Sequence, residues 1–548
     1  MTTRIGLRFA LSEVVSAAMA ETRLAARAAP GVIRYVAPIV VWAATSVVLG
    51  LVVGFAAVVL PPTGAFGIVA VAGVALLWVM PDLPIVSVSA IRKAFFVMLI
   101  ADLCVPNYYT IQISALPWIS ARRVATFALV ALFLLRVGGS SDARQRISRR
   151  IRSSWLIFIC VAGFLVMAFL SIFTSLVPTE SLSAVTDAIL SWYVPFFAMI
   201  YIINDSDDVI FVLKIICFCA IFNTAAGILE FFLQHRFFIE VFPKNMLDTL
   251  IENNPALEAL ITPQFRNGLY RASSSFVVPL SFGEFEIIVV PIGLFFALHR
   301  KSPSERTLGW IVVIGGMVGV FCSGSRGAYL GFLASMAACV IIWSVRKARQ
   351  NNASLMPAIV ALLGVISFAT IITLIIVWPR AHNLVLGGGM EAYSDQGRAQ
   401  QWEAGMLYMA SNPVSGHGFA LGGYALELKG LISIDSYVLS LLIETGVPGL
   451  LFFAGILLLP IWHGLRSYLS DRSQAGAAAG ALACSFIAFT VNRIVLSQRE
   501  NHMLIFSLLA VVIVLNYENY RKVLAKLRSY RPQEKPYFRA DRRRLGRA

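Results

Sequence analysis

The stretch SWLIFICVAGFLVMAFLSIFTSLV, residues 154–177, decides the fold of this chain. It runs for 24 positions without a charged residue, which is enough for one helix to cross the hydrocarbon core of a membrane. Directly before it stands SDARQRISRRIRS, residues 141–153, which contains five arginines. The change from a basic segment to an apolar run predicts a helix that enters a membrane at its arginine-rich end.

The same apolar pattern recurs along the whole chain of 548 residues. Hydrophobic residues make up 58% and charged residues only 14%, whereas soluble domains carry about 25% charged residues. The mean hydropathy is +0.78, and the apolar runs do not alternate as the strands of a closed barrel do. We therefore predict an all-α polytopic membrane protein, a bundle of about fourteen transmembrane helices. The predicted helices span roughly residues 36–60, 65–81, 88–104, 120–137, 154–177, 190–203, 209–233, 280–298, 309–322, 327–345, 358–378, 448–463, 475–491 and 502–517.

The net charge of +16 raises the alternative of a nucleic-acid-binding protein. The positive charges, however, concentrate in loops 138–153, 299–306 and 346–357 and in the tail 518–548. Fourteen helices put all of these segments on one side, and positively charged loops favour the cytoplasmic side. We therefore expect no nucleic-acid partner, but an inner-membrane protein with both termini in the cytoplasm and membrane lipid around it.

The predicted helices divide the chain into seven segments, of which the long loops are the most informative. Residues 1–35 are a cytoplasmic segment in which an interfacial helix over 5–19 is an option. Transmembrane helices follow at 36–233, 280–378 and 448–517, with periplasmic loops at 234–279 and 379–447 between them. The tail 518–548 is expected to be disordered and held near anionic lipid. Long loops in a compact protein usually carry function.

Arginine is scarce in the predicted outward half of the bundle, so the four arginines there are informative. Arg271 precedes a helix, and Arg326 lies in a tight turn between two helices. Arg398 opens a loop helix, and Arg493 ends the helix 475–491. Helix N-termini and guanidinium groups both bind phosphate-type anions. The set predicts a site for a pyrophosphate leaving group, and the alternative for Arg271 and Arg326 is contact with lipid headgroups.

Four motifs in the second half of the chain share these arginines. They are RASSSF at 271–276 with Pro279 and Gly283, SGSRGA at 323–328, GRAQQW at 397–402 with NPVSGHG at 412–418, and DSYVLSLLIETGVPG at 435–449. In this order and spacing they resemble the O-antigen ligase and Wzy-type polymerase superfamily, over about residues 265–465. Each motif alone is weak, whereas four in order on one side of a bundle are fairly specific.

The resemblance implies an enzyme that acts on the periplasmic face and transfers a glycan from undecaprenyl pyrophosphate to an acceptor hydroxyl. It implies no metal and no nucleotide sugar, so no cofactor is expected. Arginines matching Arg271 and Arg326 would hold the donor pyrophosphate. Ligases of the superfamily often carry a histidine where this chain has Ile434-Asp435-Ser436, and polymerases often carry an acidic residue there. Asp435 is therefore the candidate catalytic base, with a helix N-cap as the alternative, and the departure favours a polymerase.

Further residues in or beside the motifs are candidates for binding substrate. Besides the catalytic candidates Asp435, Arg271 and Arg326, they are Arg398, Trp402, His417, Tyr437, Glu444 and Arg493. The aromatic side chains are expected to stack on sugars or to anchor at the membrane interface. His417 is a second candidate base or an ordinary turn residue, and Glu444 caps a helix or pairs with an arginine. Charge inside a membrane helix is costly, so we expect Glu284 or Glu286 to face a cavity or an arginine.

The function predicted from the sequence is that of a polymerase, which joins lipid-linked repeat units into a surface or secreted polysaccharide. A chain-length regulator is a further candidate partner. The nearest alternative is an O-antigen ligase that transfers the glycan to lipid A core. A flippase or transporter would instead place charges in the middle of the membrane and would show paired halves. A scaffold without catalysis would not require Arg271 or Arg326.

The predicted topology can be tested with single cysteines and a membrane-impermeant thiol reagent. In intact cells, cysteines in loops 234–279 and 379–447 should react because these loops face the periplasm. Cysteines in loop 138–153 and at both termini should react only after lysis. Labelling of residues 385–395 only after lysis would contradict this topology.

Overall fold

The computed structural model of the protein describes residues 86–111, 119–243, 247–248, 251, 262–266, 268–350, 355–378, 392–431 and 434–530. The following predictions lie outside these residues: the helices at 36–60 and 65–81, the interfacial helix over 5–19 and the last part of the tail. Within them the chain is almost entirely helical, which confirms the predicted all-α class.

The described helices follow one another with short connections. They are α1 (Val88–Cys104), α2 (Ala121–Gly138), α3 (Ser141–Ser153), α4 (Trp155–Leu170), α5 (Pro178–Ala188), α6 (Val194–Ile202), α7 (Ser206–Leu233), α8 (Phe237–Val241), α9 (Pro279–His299), α10 (Pro303–Ser323), α11 (Arg326–Gln350), α12 (Met356–Val377), α13 (Ala392–Ser411), α14 (Gly422–Glu427), α15 (Tyr437–Ser470), α16 (Gln474–Asn492) and α17 (His502–Tyr530). Two antiparallel ribbons join Thr110–Ile111 to Ile119–Ser120 and Phe265–Arg266 to Leu269–Tyr270.

In the described ranges, nine helical stretches are long and apolar enough to cross a membrane, or ten if the bent pair α2 and α3 forms one span. Every helix predicted from residue 88 onward coincides with a helix of the structure. The chain is thus a multi-pass membrane protein, while the total of about fourteen spans stays a prediction.

Three predicted boundaries differ most from the structure. The helix predicted from residue 190 begins earlier, because α5 continues through a π-helical turn at Ile189–Tyr193 into α6. The helix predicted from 448 belongs to α15, which already begins at Tyr437. The last helix extends to Tyr530, so the prediction of a disordered tail is wrong for residues 518–530. Polar residues at the start of α5 and at the end of α17 lower the local hydropathy although the backbone remains helical.

The helix ends meet at two opposite ends of the bundle. We name one the motif end, where the Ala272 N–H donates to the Cys322 carbonyl and the Tyr437 N–H donates to the Arg493 carbonyl. We name the other the basic end; there Arg300 donates to Gln474, and Arg346 donates to the Asp471 carbonyl at 3.1 Å.

Further contacts bring the remaining basic segments to the same basic end. The Arg150 guanidinium donates to the Ile203 carbonyl at 2.5 Å, and Lys522 lies 3.6 Å from the Asp471 carboxylate. Asn516 of α17 donates to Ser154, just after α3, at 2.8 Å. The described parts of the basic loops therefore lie together, as their charge pattern predicts, while the side of the membrane stays a prediction.

Helix α9 is the central helix of the described bundle. It is the most buried of the nine candidate spans: 89% of its apolar stretch is buried inside the protein. Small residues allow α10 to approach it closely: a β carbon at Gly309 would stand 2.6 Å from the Gly293 carbonyl oxygen, and one at Gly293 would stand 2.8 Å from Val312. Close contact between glycine-bearing surfaces is a common way to pack membrane helices, since apolar burial alone gives little preference there. The carboxylates of Glu284 and Glu286 therefore lie deep inside the protein.

Gly446 divides α15 into a short first segment and a long second one. Its backbone has φ 69° and ψ −173°, a region that is almost restricted to glycine. A β carbon there would also stand 2.5 Å from the Pro413 carbonyl oxygen and 2.8 Å from the Val414 carbonyl carbon. The Val447 N–H donates to the same Pro413 carbonyl at 2.8 Å. The glycine thus lets the chain turn while the loop before α14 packs directly against its backbone.

We predict that Gly446→Ala destabilises the purified protein by about 3 kcal/mol or more, because backbone strain and a steric clash add. Gly430→Ala is the matched control. Gly430 also has a positive φ of 78°, but a β carbon there meets nothing within 4 Å, so its cost should be only about 1 kcal/mol. Thermal unfolding in detergent measures both, and equal midpoints for the two variants would contradict the clash.

Candidate functional site

The turn between α10 and α11 brings the first two motifs together. The Arg271 Nε donates to the Ser323 carbonyl at 3.1 Å, and the Ala272 N–H donates to the Cys322 carbonyl at 2.9 Å. Gly324 has φ +55°, and a β carbon on it would stand 3.2 Å from the Arg271 side chain. Glycine therefore both ends α10 in a left-handed conformation and leaves room for this arginine.

Three guanidinium groups gather around this turn. Arg266 donates to the Gly324 carbonyl at 3.4 Å, and Arg326 is the first residue of α11 and is 8% exposed. Burial, together with the positive charges of Arg266 and Arg326, lowers the pKa of Arg271 to about 10. Like charges at a helix N-terminus are stabilised by an anion. Arg266 is thus a third arginine at the predicted anion site. We name Arg266, Arg271 and Arg326 together the arginine turn.

The serines of RASSSF fix the loop that carries Arg271. The N–H groups of Ser273 and Ser274 both donate to one carboxylate oxygen of Glu230, each at 2.9 Å. The Arg236 guanidinium donates to the Ser273 hydroxyl at 2.6 Å, and the Ser274 hydroxyl donates to the Asn223 side chain at 2.9 Å. All five residues of this network are buried in the interior, so the loop that carries Arg271 is held in place from the protein side.

The third and fourth motifs also pair with each other. The His417 N–H donates to the Ile443 carbonyl at 2.8 Å, and the Gly418 N–H donates to the Glu444 carbonyl at 3.2 Å. These carbonyls end the short first segment of α15, where backbone acceptors lack helical partners. Gly416 has φ +70° and Gly418 has φ +111°, so the glycines on both sides of His417 permit the turn that reaches them.

The His417 side chain forms hydrogen bonds that stabilise the same turn. Its Nε2 lies 2.9 Å from the Tyr408 carbonyl oxygen and 3.0 Å from the Ser411 hydroxyl. A carbonyl oxygen only accepts, so Nε2 carries the proton and donates to it. The imidazole therefore binds the C-terminal turn of α13, which matches the alternative of a structural turn residue.

Asp435 lies at the start of the fourth motif and is accessible. Its carboxylate is 3.3 Å from the Arg398 Nε, and their side chains are 37% and 34% exposed. The Gln401 side chain accepts the Asp435 N–H at 3.1 Å. The cap of α15 is Ser436, whose hydroxyl accepts the Leu439 N–H at 3.4 Å. The alternative in which Asp435 is the helix cap is therefore wrong, because its neighbour occupies that position.

Two further predicted residues lie on α13 and α15. Trp402 is 38% exposed on α13, so its ring is available for a sugar or for the membrane interface. Glu444 is buried, and its Oε1 accepts from Arg499 at 3.1 Å and from the Ser440 hydroxyl at 2.5 Å. The predicted pairing of Glu444 with an arginine is confirmed, and its partner comes from the segment between α16 and α17.

A buried ion pair between Glu284 and Arg493 links the two motif pairs. Both side chains are almost completely buried, and the Glu284 carboxylate also accepts from Asn492 at 2.9 Å and from Asn501 at 3.0 Å. Glu284 follows Gly283, whose β carbon would stand 2.6 Å from the Ser323 hydroxyl of the second motif. The expectation that Glu284 or Glu286 faces an arginine is confirmed for Glu284.

On its other side the pair reaches the fourth motif. The Arg493 carbonyl accepts the Tyr437 N–H at 3.1 Å, and the Arg493 guanidinium lies 5.4 Å from the Tyr437 ring centroid. Tyr437 is 1% exposed. The structure thus places Arg493 and Tyr437 in the interior beneath the predicted site, and their contact with substrate stays a prediction.

Fold and site together define a multi-pass membrane protein with an arginine turn and an accessible carboxylate at one end. A protein-family model described as O-antigen ligase matches residues 285–454. The chain therefore carries a domain of the O-antigen ligase and Wzy-type polymerase superfamily, and the resemblance drawn from the motifs is confirmed. The family supports an enzyme of glycan assembly that acts on lipid-linked glycans. A search of curated proteins found no match to the chain.

The matched region leaves out several residues that build the motif end. Arg266 and Arg271 precede it, and Arg493, Arg499 and Asn501 follow it. The sequence offered a signal for two of the residues that we did not single out: Arg499 and Glu500 are charges between two predicted membrane helices. Burial raises the pKa of Glu500, whose carboxylate accepts the Val277 N–H at 3.0 Å. This segment therefore holds the RASSSF loop from a second side.

We predict that Arg493→Gln destabilises the protein by about 3–5 kcal/mol, because it leaves the Glu284 carboxylate buried without its countercharge. The double variant Glu284→Gln with Arg493→Gln should recover much of this loss, since no unpaired charge remains. Thermal unfolding in detergent measures both. A stable Arg493→Gln protein that has lost only activity would instead assign Arg493 to substrate binding.

Proposed function

We propose that the protein polymerises undecaprenyl-pyrophosphate-linked oligosaccharide repeat units into an O-antigen or exopolysaccharide on the periplasmic face. The observation that carries this proposal is that the arginine turn and the accessible Asp435 carboxylate lie at the same end of the bundle, in a chain with a domain of the O-antigen ligase family. The reaction is a metal-independent glycosyl transfer with inversion of configuration. Donor and acceptor are both lipid-linked glycans.

The arginine turn would bind the departing lipid pyrophosphate. Arg271 is held by the Ser323 carbonyl through Nε, and Arg326 opens α11. Planar guanidinium groups bind phosphate oxygens through two parallel hydrogen bonds. The leaving group then needs no proton, because its negative charge is stabilised by the arginines and the helix dipole.

Asp435 would act as the general base. The acceptor hydroxyl attacks the anomeric carbon of the donor, the bond to the pyrophosphate oxygen breaks, and the proton passes to the Asp435 carboxylate. A carboxylate is far less basic than a sugar alkoxide, so this transfer helps only as the new bond forms. Arg398 at 3.3 Å orients the carboxylate, and Trp402 offers a half-exposed ring on the same helix as Arg398.

The description of the matched family favours a second candidate, an O-antigen ligase that transfers the glycan to lipid A core. Both reactions use the same donor and leaving group, so the arginine turn fits either. The sequence Ile434-Asp435-Ser436 favours the polymerase, because ligases of the superfamily often carry a histidine there. His417, the second candidate base, is the less favourable one, because its Nε2 donates to the Tyr408 carbonyl of α13.

We predict that Arg271→Ala and Arg326→Ala each lower the polymerisation rate by about a hundred- to a thousandfold, or roughly 3–4 kcal/mol. Lysine variants should recover little, because lysine lacks the planar fork. The assay uses purified protein with lipid-linked repeat units. Near-normal polymer from both alanine variants would contradict the anion site and favour a scaffold.

We predict that Asp435→Asn lowers the rate by about a hundred- to ten-thousandfold, because asparagine cannot accept the proton. Ser436→Ala is the matched control: it removes the helix cap, which costs about 1 kcal/mol of stability, but leaves the carboxylate in place. The base assignment requires an inactive, stable Asn variant and an active Ala variant. An active Asp435→Asn protein would overturn it.

A further inference from the structure

A cavity of ≈ 430 Å³ lies at the basic end of the bundle, away from the arginine turn. It is lined by α9, α11, α15 and α16, with Val360 of α12 at one side. Its walls are almost wholly apolar and include Phe295, Trp343 and Cys484. Its volume falls within the range of roughly 300–1,000 Å³ that is typical of ligand pockets. An apolar space of this size between membrane helices, open on one side, fits hydrocarbon.

The cavity also has a polar corner, which is formed by His299 and Tyr468. Arg346 lies against this corner, with its guanidinium carbon 4.3 Å from the Tyr468 ring centroid. The Arg346 side chain is 8% exposed. Its Nη2 donates to the Asp471 carbonyl at 3.1 Å, but its Nη1 is buried and makes no hydrogen bond within the described part of the chain. A buried guanidinium with an unused donor needs an acceptor, and preferably an anionic one.

The surroundings of the cavity decide which molecule supplies that anion. Leu298 lines the cavity and is 54% exposed, so the cavity reaches the apolar outer surface that faces lipid. Positive charges next to the corner belong to Arg300 and Lys301 in the loop after α9 and to Lys347 and Arg349 in the last turn of α11. Apolar access from the side, a buried guanidinium at the corner and basic residues at the rim are complementary to an anionic phospholipid.

We propose that this cavity binds the acyl chain of an anionic phospholipid, whose phosphate is held by Arg346. The acyl chain enters past Leu298 between α9 and α11 and packs against Phe295 and Trp343. The phosphate accepts from the Arg346 Nη1, next to His299 and Tyr468. This site is independent of the glycan chemistry, because it lies at the opposite end of α9 from Glu284 and the arginine turn.

Native mass spectrometry of the full-length protein in detergent tests this site with two lipids, dioleoyl-phosphatidylglycerol and dioleoyl-phosphatidylcholine. The wild-type protein should retain one phosphatidylglycerol in clear preference to phosphatidylcholine. Arg346→Gln should weaken phosphatidylglycerol binding by about tenfold, the usual size of a lost hydrogen bond to a charged group. Lys347→Gln is the matched control: it removes the same charge from an exposed neighbour, and binding should stay within about twofold.

A second variant tests the apolar part without touching the charge. Leu298→Trp places a larger side chain at the exposed rim, and it should reduce retention of both lipids. Equal effects of Arg346→Gln and Lys347→Gln would overturn the proposal, because charge alone would then explain binding. Unchanged lipid retention by Leu298→Trp, or displacement of the lipid by inorganic phosphate, would also overturn it, since the cavity would then contribute nothing.

Discussion

The ion pair between Glu284 and Arg493 is the interaction on which the motif end depends. Glu284 lies on the central helix next to the packing contact of the first two motifs, and Arg493 lies beneath the start of the fourth. Neither charge is tolerable alone at such burial, because desolvation of a single ion costs several kcal/mol. Together, and with Asn492 and Asn501 as further donors, they fix the relative position of α9, α15 and α16. The accessible groups at the motif end are positioned by these three helices.

The accessible groups themselves lie at helix ends and in turns, where a membrane protein can expose polar side chains outside the hydrocarbon core. Gly324 ends α10 beside Arg271, and Gly446 ends the first segment of α15 beside the loop of His417. Gly446 allows two backbones to approach more closely than a β carbon permits, and Gly324 leaves room for the Arg271 side chain. The two motif pairs are therefore built alike: a glycine turn brings one loop onto the end of a helix, and carboxylates or carbonyls beneath it hold that loop in place.

Much of this could be predicted from the sequence, because the signals were local. Apolar runs located the described helices, and basic loops at 138–153 and 299–306 grouped at one end. The motifs located Arg271, Arg326 and Asp435. Partners distant in sequence carried no such signal: the pairing of Glu284 with Arg493 spans about two hundred residues, and hydropathy cannot choose between arginines. The alternative role of Asp435 as the cap of α15 was wrong, because Asp435 and Ser436 are both good caps and only backbone geometry separates them.

The central claim, that the arginine turn binds the pyrophosphate of the donor lipid, is tested most directly by photo-crosslinking. A polyprenyl pyrophosphate analogue with a photoreactive group next to the phosphates would be irradiated with the purified protein, and the labelled peptides would be mapped by mass spectrometry. The account predicts labels at 265–276 and 322–329, which surround Arg266, Arg271 and Arg326. Labels confined to the basic end, around 299–306 and 346–350, would contradict it.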